Sequence, residues 1–237
     1  MTETAVTARV AATADLERVV TTYQRSCEDE AVTRWVMSAA PGGQETATWD
    51  ESLDEAVRGG HVVVADDADG DMVGVSTWLR LDSARPLREQ ADELAEQVRR
   101  RADPVLARTA TVLAATSVRH PDTRHLYLAS MGVLPRARGR GVGGVLLGFG
   151  LAMAAADDRP VYLEASTERN AALYARHGFR PVGEPIALPD GGPPLRPMWR
   201  MPPGAGERRT GHGYGSCGHG YGSYGHGYGS CGHGYGS

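Results

Sequence analysis

Lysine is missing from all 237 residues, and every one of the 25 basic side chains is an arginine. The chain therefore has no lysine of its own to be modified. Cysteine is scarce too. Of three cysteines, only Cys27 lies ahead of the terminal repeats. On a predicted helix it reads as a small buried hydrophobe rather than a nucleophile, which fits a reducing, cytoplasmic setting. The first residues lack a basic segment followed by an apolar run, so no signal peptide is expected. No apolar stretch approaches the ~20 residues that span a bilayer, so no membrane partner is expected. There is also no basic stripe and no interleaving of basic with aromatic residues, which argues against nucleic acid. The net charge is −4. Arg99, Arg100 and Arg101 close an acidic helix and read as part of a solvated face.

What is abundant is glycine, and much of it lies at one end. Residues 211–237 are four copies of Gly-His-Gly-Tyr-Gly-Ser, spaced by Cys217, Tyr224 and Cys231. A period of seven without apolar heptad positions is not a coiled coil. Such a composition buries too little surface to offset its ordering entropy, so residues 206–237 are expected to form a disordered tail. Three readings of it stay open. His212, His219, His226 and His233 with the cysteines suit zinc, copper or nickel; the tyrosines suit self-association; or the segment is a dispensable extension. Residues 1–205 are long enough for one domain with a real core.

Within that domain, residues 7–13 read as a strand and residues 14–23 as a helix with an acidic first turn. Residues 39–43 form a loop, followed by a helix over residues 48–58. Residues 61–66 and 72–79 read as two strands of a hairpin around an Asp- and Gly-containing turn. Residues 86–118 read as helical, divided at Pro104. Further strands are predicted over 125–134, 160–166, 179–188 and 195–201. Helices are predicted over 142–156 and after Asn170. This order implies an α/β fold with a mixed, mostly antiparallel central sheet and helices on both faces.

The most informative stretch joins the strand at 125–134 to the helix at 142–156. Arg138, Gly139, Arg140, Gly141, Val142, Gly143 and Gly144 make a Gly- and Arg-rich turn that opens straight into an apolar helix. That arrangement aims backbone N–H groups and a helix N-terminus at one spot, as a pyrophosphate site requires. Arg138 and Arg140 are expected to add charge beside those donors. Further on, Asn170 and Tyr174 stand four residues apart on one helix face, and Gly178 and Phe179 stop that helix and start a strand.

At these residues the chain resembles the GNAT superfamily of N-acetyltransferases. The Arg-x-x-Gly-x-Gly hallmark falls on Arg138, Gly141 and Gly143, and the later Asn, Tyr and Gly-Phe element falls on Asn170, Tyr174, Gly178 and Phe179. Within the superfamily, residues 62–67, 128–133 and 162–179 are most similar to the puromycin N-acetyltransferases. The resemblance implies the GNAT acyltransferase fold over residues 5–201, acetyl-CoA as co-substrate and no required metal. It also implies transfer of an acetyl group to the primary amine of a small, antibiotic or aminonucleoside-like molecule by direct attack. A protein or peptide amine is the alternative acceptor, and a non-catalytic acetyl-CoA binder with a metal-binding tail is another. The assembly would be a monomer or homodimer.

The resemblance also distributes roles. Main-chain groups of the 138–144 turn would hold the pyrophosphate, with glycine letting the backbone come close. A splay in the preceding strand would free an N–H near Met131, Gly132 and Val133 for the oxyanion. Tyr174 would protonate the departing thiolate. Asn170 either holds the pantetheine arm or caps its helix.

Strand alternation puts Tyr162, Glu164 and Ser166 on one face. Glu164 then either accepts the amine proton or pairs with an arginine, since an unpaired buried carboxylate is costly. His120, His125 and His177 lack ligand-like spacing, so no metal site is read in the domain. His177, next to the helix-ending Gly178, would favour the helix C-terminus as a partly charged imidazole. The acceptor pocket would come from residues 35–49, 83–119 and 188–196.

Overall fold

The computed structural model describes residues 6–40 and 49–202. The calls on the terminal repeats, including His212, His219, His226 and His233, lie outside the described residues. In chain order the elements are β1 (Thr7–Val10), α1 (Leu16–Cys27), α2 (Ala31–Met37), α3 (Trp49–Arg58), β2 (Val62–Asp66) and β3 (Met72–Leu81). Then come α4 (Arg85–Arg100), α5 (Pro104–Arg119), β4 (His125–Val133), α6 (Val142–Ala156), β5 (Val161–Ala165), α7 (Glu168–Arg176), β6 (Arg180–Pro181) and β7 (Arg196–Arg200). One sheet of order β1-β2-β3-β4-β5-β7-β6 carries them. Every neighbouring pair is antiparallel except β4 with β5. This is the mixed, mostly antiparallel α/β sheet expected.

Strand β2 shows how two layers of helix are held. Val62, Val63, Val64 and Ala65 are all fully buried, because successive side chains enter opposite faces. Val63 and Ala65 join Trp78, Leu126, Leu163 and the Leu146–Leu147 pair of α6. Val62 and Val64 join Val19 of α1 and Leu53 and Val57 of α3. Helix α6 lies so close to the sheet that a Cβ at Gly150 would overlap the Trp78 ring. That indole is buried, and its Nε1 donates to Ser76 Oγ at 2.9 Å. A third apolar cluster joins Trp35 and Val36 of α2, Val105 of α5, and Ile186, Leu188 and Leu195 beyond β6.

Three elements differ from the sequence expectation. Strand β1 stops at Val10, because Asp15 Oδ2 accepts from Ala12 N at 2.8 Å and turns the chain into a short 3-10 turn, Thr13–Asp15. Helix α2 was not anticipated. Its start is held by a glutamate, Glu30, whose Oε2 accepts from Thr33 N at 2.9 Å. Strand β6 has only two residues, followed by an isolated bridge between Ile186 and Leu195. Pro181 and Pro185 lack ladder donors, and Gly183 at φ +67° turns the chain between them.

Candidate active site

Strands β4 and β5 are the parallel pair, and they stay together for only two residue pairs, Leu126 with Val161 and Tyr127 with Tyr162. Beyond Tyr127 they part. A bulge in β4 sets Leu128 opposite Trp78 and Ser130 opposite Thr77, leaving Ala129 without a partner. Ala129 is exposed although it belongs to a central strand, and Tyr127, Ser130 and Met131 are partly exposed. A cleft therefore opens in the middle of the sheet.

The edge of β4 that faces this cleft is set by alternation. Leu134 N donates to Val73 O of β3 at 2.9 Å. Gly132 N–H shares that direction, and the N–H groups of Met131 and Val133 point the other way, into the parting. Gly132 has a second duty: a Cβ there would overlap Ser26 Oγ, so α1 packs directly on the strand at this glycine.

The chain then passes a 3-10 turn, Pro135–Ala137, and enters the glycine turn. Gly139 and Gly141 have φ of +77° and +85°, a region that side chains disfavour. Open space, not crowding, surrounds both. Gly141 precedes α6, and the first bond across its start runs from Val145 N to Gly141 O at 3.1 Å. The N–H groups of Val142, Gly143 and Gly144 are thus the free donors of the helix N-terminus. Gly143 and Gly144 face α7, where added Cβ atoms would lie 3.5 Å from Leu173 and 3.6 Å from His177. This cradle of main-chain donors fits a diphosphate.

Arg138 does not bring its charge to that cradle. Its Nε donates to Val133 O at 2.9 Å, and Nη2 donates to Ser26 O at 3.0 Å and Asp29 Oδ1 at 2.7 Å. Nη1 pairs with Asp29 as well, and the guanidinium holds the Asp29 carboxyl below its usual range. The side chain ties the end of α1 to the end of β4. Arg140 is exposed and makes no ion pair among the described residues, so it is the arginine free to meet an anion.

On α7, Tyr174 is buried against Phe179, with ring centroids 5.9 Å apart. Burial first, and then the charge of Glu30, pushes its phenol up. Asn170 is not the helix cap. Thr167 is, its side chain accepting from Asn170 N at 3.1 Å, while the Asn170 amide donates to Ser166 Oγ at 3.3 Å. His177 takes the C-cap position of α7 as expected, but burial, then Arg176 and Arg200, push its imidazole pKa down, away from the charged form. The Cys27 thiol is pushed up to about 11 by burial, in keeping with an unreactive side chain.

Glu164 does face the same side as Tyr162, away from the α6 core. Its Oε2 accepts from Tyr127 Oη at 2.9 Å, and its buried Oε1 has no hydrogen-bond partner among the described residues, with His120 Nδ1 3.7 Å away. Among the described residues Glu164 pairs with no arginine. Around it stand His120, 4.6 Å from the Tyr127 ring and 4.8 Å from the Tyr162 ring, and then His125 and Trp199. A second carboxylate escaped the sequence reading. Glu30 Oε1 is also buried and unpartnered, and its charge is felt at Tyr174, Tyr23 and Cys27. Its only sequence signal is an acidic residue just before an apolar run.

The three segments named for the acceptor pocket partly converge. Trp35, Val105, Leu188 and Leu195 share one cluster, and Arg108 lies over the Trp35 ring at 4.7 Å. Residues 41–48 lie outside the described residues. Among the described residues no group of three or more His, Cys, Asp or Glu is placed to hold a metal, and no helix is long and apolar enough to cross a membrane.

Residues 105–181 match the acetyltransferase (GNAT) domain family. Among solved structures, the chain is 28% identical to a Corynebacterium glutamicum protein described as histone acetyltransferase HPA2 and related acetyltransferase, over 83% of this chain and 96% of that one, with a TM-score of 0.59. A Drosophila melanogaster polyamine N-acetyltransferase that forms N-acetylagmatine is 19% identical over 83% and 100%, TM-score 0.61. Arylalkylamine N-acetyltransferase 2 of Aedes aegypti is 15% identical over 83% and 98%, TM-score 0.65. No curated protein matches the chain.

Proposed function

We propose that this chain, whose residues 105–181 match the acetyltransferase (GNAT) domain family, is an N-acetyltransferase that acetylates the primary amine of a small molecule by direct attack. GNAT enzymes use acetyl-CoA as co-substrate, and when bound it supplies an acyl thioester. The observation that carries the reading is the parting of β4 and β5 beyond Tyr127, with a helix N-terminus at one end and free strand N–H groups along one side.

The glycine turn and the N–H groups of Val142, Gly143 and Gly144 hold the diphosphate, with Arg140 beside them. Met131 and Val133 N–H receive developing negative charge on the carbonyl oxygen, a role in which each fixed donor is worth ~3–4 kcal/mol. Asn170 steadies the pantetheine arm from α7. Tyr174, its phenol raised by burial, is a hydrogen-bond donor to the leaving sulfur rather than a strong acid. Glu164, reached through Tyr127, draws the proton from the attacking amine.

The small acceptor follows from the surroundings of the cleft. Helix α5 meets the sheet at His120, and α2 begins at Glu30. An apolar cluster joins α2 and α5 to the 186–195 loop, and as one wall of the acceptor site it would suit a compact amine better than an extended chain. The polyamine and arylalkylamine acetyltransferases of similar fold are named for small amines, and an aminonucleoside of the puromycin kind is our specific candidate. Thiol release measured with a panel of small amines and with peptides tests this. Turnover confined to peptides selects a protein or peptide acetyltransferase instead. Tyr174→Phe is expected to lower kcat by ~10–100-fold with acetyl-CoA binding retained.

A further inference from the structure

Behind Glu164 lies a pair of buried histidines that this transfer scheme leaves without a task. Their protonation can be read from hydrogen-bond direction. His125 Nδ1 is 2.6 Å from Thr123 O, and a carbonyl only accepts, so Nδ1 carries the hydrogen. Desolvation pushes the His125 pKa down and so favours the neutral ring, whose Nε2 is an acceptor. His120 Nε2, 2.9 Å away, must then be the donor. With the hydrogen on Nε2, His120 turns the lone pair of Nδ1 toward Glu164 Oε1 at 3.7 Å. Both atoms are buried and neither has another partner. Two sealed acceptors face each other with no hydrogen between them, an arrangement that costs free energy until one proton arrives.

We propose that His120, backed by His125, is the final holder of the proton shed by the acceptor amine, reached through Tyr127 and Glu164. The inference rests on the reading of Glu164 as base. The amine N–H bond breaks as its proton joins Tyr127 Oη, and the Tyr127 hydroxyl hydrogen passes to Glu164 Oε2. The amine is then neutral, and its electron pair attacks the thioester carbonyl. A half-turn of the protonated carboxyl brings the hydrogen to the Oε1 side, where His120 Nδ1 takes it, leaving imidazolium beside carboxylate. The titratable and charged groups facing the pair are Tyr127 and His125 from β4, Tyr162 from β5, Arg159 ahead of β5 and Tyr23 from α1. Tyr127, held well above its usual range by burial and by Glu164, does not itself ionise, so it only passes the proton on. His120 touches no substrate atom and acts only through Glu164, as the acceptor of the relayed proton.

The test is the pH dependence of kcat/KM for thiol release by the full chain and by His120→Gln and Tyr127→Phe. With His120 gone the base binds its proton less tightly, so the acidic limb should move down by about one unit. Tyr127→Phe should lower kcat ~100-fold with the KM for acetyl-CoA unchanged. A His120→Gln profile that overlays the wild type overturns the inference and leaves the acetyl-transfer reading standing. A wild-type chain that turns over no amine overturns both. Nitrogen-15 histidine NMR of the wild-type chain keeps the test independent of variant folding. Hydrogen on His125 Nδ1 and His120 Nε2 supports the scheme, and the opposite tautomer of His120 refutes it.

Discussion

Arg138 and Arg140 are two residues apart, equal in charge, and opposite in use. The first is bound to Val133 O, Ser26 O and Asp29, and the second is exposed. Arg138→Ala should therefore lower stability by about 1.5–3 kcal/mol, the range for hydrogen bonds to charged groups. Arg140→Ala should leave the unfolding midpoint in place and raise the KM for acetyl-CoA; urea unfolding and steady-state kinetics separate the two. The spacing of Arg138, Gly141 and Gly143 suggested a turn into a helix, which the chain makes at Gly139 and Gly141 as it enters α6. It held no information on where a long side chain would find its partners, because Asp29 is distant in sequence and becomes a neighbour only through the fold. Glu30 was hidden for the same reason: its buried oxygen and its effect on Tyr174 depend on where α2 begins.

At the scale of elements, long periodic segments were readable and short ones were not. Helices α4 and α5, split at Pro104, and the β2–β3 hairpin match their patterns closely. The seven-residue α2 and the two-residue β6 are too brief for periodicity to register, and what holds them, α5 for α2 and β7 for β6, is tertiary. The close seat of α6 on β3 was also invisible, though a glycine in an apolar helix is a hint. Gly150→Ala should cost about 1–3 kcal/mol by thermal or urea denaturation, despite the better helix propensity of alanine, because the Trp78 ring has nowhere to go. Gly141→Ala places a side chain at φ +85°. It should raise the KM for acetyl-CoA well before it affects global stability, since the strain of ~1–2 kcal/mol falls on the turn itself.

For the whole molecule, acid stability centres on the first strand. Arg9 hydrogen-bonds Asp15 and holds that carboxyl at about 2, below its ordinary 3.8, and Arg9 also bonds Asp66. The unfolded chain binds more protons as pH falls through this window. The stabilisation is therefore complete above about pH 4 and disappears toward pH 2. Asp15→Asn should lose on the order of 1 kcal/mol at neutral pH and flatten that part of the urea-midpoint profile. We also propose that residues 1–205 suffice for catalysis, so a chain ending there should release thiol at an undiminished rate.

The two-pair contact between β4 and β5 has a mechanical consequence. It divides the sheet into an antiparallel ribbon of four strands and another of three, fastened like a zip with two closed teeth. A ligand lying in the open wedge and taking up the unused strand donors is a splint across both ribbons. Its binding should slow amide exchange on either bank at once, far from any atom it touches.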